Sequence, residues 1–325
     1  VTRVAVIGAG IAGLTAAKEL QSLGYQVDVF EKSRGRGGRL ASKRLSWATV
    51  DTGAQYFTAR HPRFRREVSR WVDHGAAQPW QFTPHKLING ELHRSPDDTE
   101  RFVGTPNMNS IAHQLATDLN LNLNITITSV ERRNHSWYLT DQSEAEWGAY
   151  HWLVVAIPPA QARYLLAQHM SEVSEQEPLL LPCWATVLAT KGAVCPTIQG
   201  VFGDKTVSWL SRLSAKPGRV KPAHSDDVWL LHFSPQHSAD RQSDKSEQII
   251  AEATSWLTTH LDSELAITHE YAHFWRYAHM ATPNQQQNPN ICQQQQLAVV
   301  GDWCQGGRIE GAYLSATNMV REMIA

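Results

Sequence analysis

Gly8, Gly10 and Gly13 stand in the run Gly8-Ala9-Gly10-Ile11-Ala12-Gly13, between an apolar stretch, Val4 to Ile7, and a helical repeat of Leu14, Ala17, Leu20 and Leu23. The chemistry this spacing serves is phosphate binding. The first glycine permits the tight turn out of a strand, the second lets backbone approach a pyrophosphate, and the third lets the helix lie against the strand. The helix N-terminus then offers free N–H groups and a partial positive charge to the phosphates. Glu31 lies eighteen positions beyond Gly13, after a second apolar run, Val27 to Phe30. A carboxylate there accepts hydrogen bonds from ribose hydroxyls and repels a 2′-phosphate. Such a glycine pattern is common, and the strand before it, the helix after it and the acid at this distance are what give it meaning. It points to a dinucleotide without saying which one.

Three further segments narrow the choice. Arg34-Gly35-Arg36-Gly37-Gly38-Arg39 follows Glu31. Its paired glycines let backbone pass close to a cofactor, and Arg39 could fork onto a pyrophosphate; read as a bare charge run, it is a solvated loop. Asp51-Thr52-Gly53-Ala54-Gln55-Tyr56-Phe57 is a polar-to-aromatic stretch containing a glycine. Val300-Gly301-Asp302 follows the last apolar strand, and Gly306-Gly307-Arg308-Ile309-Glu310-Gly311-Ala312 opens the last helix. An aspartate at a strand's C-terminal end suits ribityl hydroxyls, and a second helix N-terminus suits the negative charge of a reduced flavin ring. Read together, these segments favour FAD.

The elements that must position these residues follow from periodicity. Residues 61–74 read as a helix, 79–95 as strands, Asn109 to Leu119 as a helix and Asn124–Val130 as a strand. Ser136–Leu139, Trp147–Ala156, Trp184–Thr190, Val228–Phe233 and Leu297–Val300 read as strands, with helices over Ser246–His260 and Glu310 to Ile324. The Gln/Asn-rich residues 284–296 read as a loop. Length and composition fit this plan, because 325 residues with 42% hydrophobic content can bury two cores. Thirty Lys and Arg against 31 Asp and Glu offer no basic surface for nucleic acid. Four cysteines without a CxxC pair, no apolar run near membrane length and a chain opening directly on a strand lead us to expect a soluble, cytoplasmic protein. The fifteen histidines are scattered, and no metal is expected.

At these residues the chain resembles the FAD-dependent amine oxidase superfamily with the p-hydroxybenzoate hydroxylase-like architecture, and more narrowly the bacterial renalase-like proteins. The matching strings include VAVIGAGIAGLTAA, FEKSRGRGGRLASKR, DTGAQYFTAR, VVAIPPAQA, WLSRLSAKPGR and GDWCQGGRIEGAYLSA, and they run from end to end of the chain. The resemblance implies an α/β fold. A discontinuous Rossmann-type FAD-binding domain would comprise 1–75, 105–160 and 290–325, with an inserted α+β substrate domain of 76–104 and 161–289. It implies non-covalent FAD held by Gly8, Gly10, Ile11, Ala12, Gly13, Glu31, Lys32, Arg34, Gly38, Arg39, Gln55, Tyr56, Gly301, Asp302, Gly311 and Ala312, with Val130 giving backbone to adenine. The chain departs from the pattern at Leu213, where relatives carry a polar residue, and in the Gln-rich stretch after Met280.

Only one dinucleotide fingerprint is present, so a reducing substrate must reach the flavin through a cavity built by the middle of the chain. Hydride transfer is the cofactor's own chemistry, and the protein supplies position and electrostatics. Substrate-positioning candidates are Tyr56, Trp275, Tyr277, His232 and Arg212, with Trp209 and Trp303 behind them. His232 could equally be a core histidine, and Arg212 could pair with a phosphate or with a local carboxylate. Cys304 could link a flavin covalently, though a buried thiol is the simpler reading. The resemblance implies an oxidase of the 2- and 6-dihydro isomers of NAD(P), with O2 as acceptor, H2O2 as product and a reduced nicotinamide nucleotide as partner. A flavin-containing oxidase of an amine or of another small hydride donor, and a non-catalytic flavoprotein, are the alternatives. An open cavity beside Tyr56 and Trp275 would favour an enzyme.

Overall fold

The computed structural model describes residues 1–169, 180–262, 264–282 and 290–325. The apolar runs Val4–Ile7, Trp152–Val155 and Leu297–Val299 lie side by side in a six-stranded sheet, as expected for strands covered on both faces. The spatial order is Asn290–Cys292, Leu297–Val299, Trp152–Val155, Arg3–Ile7, Gln26–Glu31 and Asn120–Leu123. All pairings are parallel except that of the edge strand Asn290–Cys292. Helices Ile11–Ser22 and Arg308–Ile324 cover one face, where Leu14, Ala17 and Leu20 join Ala316, Met319 and Val320 in one buried cluster. A three-stranded antiparallel sheet of Ile127–Arg133, Ser136–Asp141 and Glu146–Tyr150 covers the other, burying Trp137, Leu139 and Tyr150 against Phe30, Leu153 and Val155. The first and last helices thus share a core, and the two ends of the chain meet at one sheet.

A second, seven-stranded sheet runs in the order Ala266–Met280, Leu180–Lys191, Asp227–Phe233, Val207–Arg212, Gly200–Phe202, His85–Ile88 and Glu91–Arg94. Helix Ser246–His260 buries Ile249, Ala253, Trp256 and Leu257 on one face of it. On the opposite face, Ala185, Val187, Leu213 and Leu230 pack under Val50 of a small hairpin formed by Ser42–Arg44 and Thr49–Asp51. Leu213 is 3% exposed in this cluster, so the apolar residue at that position is a packing residue.

Several boundaries differ from the sequence expectation for local reasons. The expected strand Asn124–Val130 begins only at Ile127, because Asn124, with a left-handed φ of 59°, ends a preceding strand, Asn120–Leu123. Asn120–Leu123 joins the parallel sheet and Ile127–Arg133 the antiparallel one. The expected strand Trp147–Ala156 is likewise two strands in two sheets, separated at His151. The helix expected over Asn109 to Leu119 spans only Ser110–Leu115. Within the expected loop 284–296, Asn290–Cys292 forms the sheet edge and 293–296 a turn, while residues 283–289 lie outside the described residues.

Candidate active-site cleft

The glycine run leaves the central strand at its C-terminal end, where open parallel sheets form their binding crevice. Gly8 has a φ of 107°, and a Cβ there would lie 2.4 Å from the Ala156 carbonyl oxygen. A Cβ on Gly13 would lie 1.9 Å from the Gly8 oxygen, so only glycine lets the helix sit this close. Gly10 is different: its Cβ would meet nothing within 4 Å. Backbone at the helix start therefore faces open space, which is the arrangement a pyrophosphate needs. Glu31 accepts the Ala9 N–H on Oε2 (2.9 Å) and the Ser33 N–H on Oε1 (2.8 Å), and keeps lone pairs for ribose hydroxyls. The Gly37 N–H donates to the Ala9 carbonyl (2.8 Å), docking the Arg34–Arg39 segment onto the loop. These features fit a dinucleotide.

The last segment closes the same space. Asp302, 6% exposed, is ion-paired to Arg39, with Nη1 donating to Oδ2 at 3.0 Å and Nη2 donating to Oδ1. The two groups assigned to different parts of the cofactor thus hold each other, leaving further donors of Arg39 and lone pairs of Asp302 for a ligand. A Cβ on Gly311 would lie 2.3 Å from the Gln305 carbonyl oxygen, so Gly311 lets the last helix start against the turn before it.

A cleft of about 2160 Å³ joins these parts, roughly twice the ~1,000 Å³ upper range of small-molecule pockets. Gly8, Gly10, Ile11, Ala12, Glu31, Lys32, Arg34, Gly38, Arg39, Gln55, Tyr56, Gly301, Asp302 and Ala312 all line it. So do Trp209, His232, Trp275, Tyr277 and Trp303. Gly13, Gly311, Val130 and Arg212 do not. The two glycines act behind the wall, through close packing. Val130 is buried at 7% exposure in the core beneath the antiparallel sheet, and residues Ile125–Thr128 line the cleft instead. Arg212 is a correction to the substrate-side set. Its Nη2 and Nε donate to Asp227 at 2.5 and 2.7 Å, and its Nη1 donates to the Cys195 carbonyl (3.1 Å). It is the local carboxylate, not a ligand, that this guanidinium serves.

The inner end is built on the segment Asp51–Phe57. The Thr52 carbonyl accepts the Trp275 indole N–H (2.9 Å) and lies 3.0 Å from His232 Nε2, which puts the proton of a neutral His232 on that nitrogen. Lys216, buried, donates from Nζ to the Gln55 backbone oxygen (2.8 Å) and to its Oε1 (2.7 Å). Arg219 pairs with buried Asp51 at 2.5 Å. Four side chains from the region of the seven-stranded sheet therefore hold one loop of the dinucleotide side. Of these, Lys216 and Arg219 escaped the sequence reading, although Pro217-Gly218 between them marks a turn. Burial holds the Lys216 ammonium well below its usual 10.5. Burial also pushes His232 and His273 down to about 4, so both rings are neutral at pH 7. Tyr56 packs on Trp209 (ring centroids 5.4 Å), and the Arg101 guanidinium lies 5.3 Å from the Tyr56 ring.

Two of the four cysteines, Cys183 and Cys304, are buried. Cys183 lines the cleft, but burial pushes its thiol up to about 12. Cys304 is buried away from the cleft wall, its thiol facing the Val299 carbonyl (3.8 Å), and burial raises its pKa. It is the simple buried thiol of the two readings. The stretch His269-Glu270-Tyr271-Ala272-His273 has the letters of a zinc-protease motif, which needs both histidines on one helix turn. It lies in the extended strand Ala266–Met280, which separates the two histidines by about 13 Å.

Comparison with known proteins agrees with the cradle. A family model of the NAD(P)-binding Rossmann-like domain matches residues 6–74. A 1-hydroxycarotenoid 3,4-desaturase from Flavobacterium sp. (strain P99-3) is 48% identical over 56 residues, 17% of this chain and 12% of that protein. A flavin-dependent L-tryptophan oxidase from Lentzea aerocolonigenes is 41% identical over 63 residues, 18% of this chain and 13% of that protein. The chain thus matches only about an eighth of the length of these curated relatives. Solved structures match over nearly the whole fold. An oxidoreductase from Methanosarcina mazei has a TM-score of 0.74 at 11% identity, covering 98% of this chain and 100% of that one. A putrescine oxidase variant has a TM-score of 0.71 at 13% identity, covering 99% and 98%. The fold is the mixed α/β fold of such oxidoreductases, with a Rossmann-like dinucleotide-binding part.

Proposed function

We propose that the protein is an FAD-dependent oxidase of renalase type, oxidising 2- and 6-dihydro isomers of NAD(P) to NAD(P)+. The flavin is supported by the cradle and by the tryptophan oxidase among the matching relatives. In this reading residues 1–75, 105–160 and 290–325 hold FAD non-covalently, and 76–104 with 161–289 shape the substrate side. Bound FAD supplies the hydride-accepting ring, and O2 restores its oxidised form with H2O2 as product. Gln55 and Tyr56 hold one side of the inner end. Trp275 and Trp209 offer flat faces for a nicotinamide ring, and neutral His232 fixes Thr52 without adding charge beside it.

The observation that carries the choice of substrate is the charge of the cleft. Ten Lys and Arg side chains line it, against Glu31, Asp97 and Asp302. A cationic amine would enter such a cleft against its field, whereas a phosphate-bearing nucleotide would enter with it. An amine substrate is the second reading, favoured by the fold's likeness to putrescine oxidase. A non-catalytic flavoprotein is disfavoured by the open space beside Tyr56 and Trp275. Aerobic turnover separates them. The FAD-loaded protein should release one H2O2 per dihydronicotinamide isomer consumed and none with putrescine; peroxide from putrescine alone would reverse the assignment.

A further inference from the structure

The cleft has more positive charge than its cofactor needs, and this inference rests on the nucleotide reading above. Asp302 and Asp97 are already matched by Arg39 and Arg101. A dinucleotide pyrophosphate adds two negative charges at the helix N-terminus. Much of the cation excess lies elsewhere in a chain whose net charge is −1.

Part of that excess stands on the hairpin of Ser42–Arg44 and Thr49–Asp51, at Lys43 and Arg44. The hairpin lies along the strand Ala266–Met280, with Trp47 stacked on His269 at 5.0 Å. Successive strand residues face opposite ways. Ser42 Oγ donates to Asp51 Oδ1 (2.6 Å) and lies 3.5 Å from the Asn109 N–H, so Ser42 and Arg44 share the face toward the helix Ser110–Leu115. Lys43 takes the other face, toward His273. The electrostatics agree: Lys43 helps hold His273 uncharged, while Arg36 and Arg44 do so for His113. His273 in turn packs edge-on against Trp275, ring centroids 4.5 Å apart. Among the described residues no carboxylate pairs with Arg36, Lys43 or Arg44, and Arg36 Nε is buried without a partner. Lys43 faces His273, two residues from Trp275 on the same strand, a backbone spacing of about 7 Å that a nucleoside can bridge between its ring and its phosphate.

We propose that Lys43 binds the phosphate group of a nicotinamide nucleotide whose ring lies at Trp275. The site is separate from the one that takes the cofactor's pyrophosphate at Gly10.

Calorimetric titration of the FAD-loaded protein with nicotinamide mononucleotide and with nicotinamide riboside, both oxidised and unable to reduce the flavin, tests this. The mononucleotide should bind about tenfold tighter or better, and the preference should shrink as salt is raised. Lys43→Gln, at a half-buried position, should abolish the preference, and Arg44→Gln, on the opposite face, should leave it in place. Equal affinity of the two ligands for the wild type, or a preference untouched by both salt and Lys43→Gln, overturns the phosphate site and leaves the nicotinamide reading standing. Binding of neither ligand overturns both.

Discussion

The phosphate-loop end of the cleft is made by consecutive residues, 8–39, whose strand, turn, helix and strand all lie within one stretch of chain. The aromatic end collects Thr52 and Tyr56 from one loop, Lys216 and Arg219 from another, His232 from a central strand, and His273 and Trp275 from an edge strand. The first end depends on what is missing, namely Cβ atoms. The second depends on polar groups buried in pairs. The two should therefore fail in different ways when altered.

The largest effect should come from the glycines, and they divide between fold and ligand. Gly13→Ala forces a Cβ to 1.9 Å from the Gly8 oxygen. It should yield protein that is insoluble or free of flavin. Gly10→Ala meets no protein atom within 4 Å, so it should keep the wild-type melting temperature while flavin affinity falls at least about tenfold, as one lost close contact of about 1.4 kcal/mol would give. Equal losses of Tm in the two variants would show that Gly10 is a packing residue as well.

At the other end, Asp51 and Arg219 form a buried pair at 2.5 Å. Arg219→Leu leaves the Asp51 carboxylate without its partner and should cost about 3–5 kcal/mol of stability in denaturant titrations. A cost below about 1 kcal/mol would mean that the loop holding Gln55 does not depend on this clamp.

A smaller effect should follow pH. His232 and His273 sit at about 4, against 6.5 in an unfolded chain. Between those values the unfolded chain binds protons that the folded chain refuses, so stability is full above pH 6.5 and is lost as pH falls toward 4. Thermal melts at pH 7 and pH 5 should show this drop, and His232→Gln should reduce it. A variant with an unchanged drop would remove His232 from the account. Smallest of all, Trp275→Phe deletes one of two donors to the Thr52 carbonyl and should cost about 1 kcal/mol, with flavin content retained.

The same contrast decides what could be read before the fold was seen. Gly8, Gly10, Gly13 and Glu31 are neighbours in sequence because one turn and one strand bring them together, so spacing alone reveals them. Trp275 and His232 could be singled out as residues, but nothing local says that both converge on the Thr52 carbonyl. Arg212 looked the same as a substrate-binding arginine because its partner, Asp227, lies on the neighbouring strand and pairing of strands is not written locally. The strand Ala266–Met280 was not anticipated, because its fifteen residues are half-buried with few apolar alternations. Lys216 and Arg219 were passed over because charged residues are rarely buried unless paired, and their partners lie more than 150 residues away.

The most direct test of the account is anaerobic mixing of the FAD-loaded protein with equilibrated dihydronicotinamide isomers and, separately, with primary amines. The account predicts rapid bleaching of the flavin band by the isomers and none by the amines. Bleaching by amines, with the isomers inert, would contradict it.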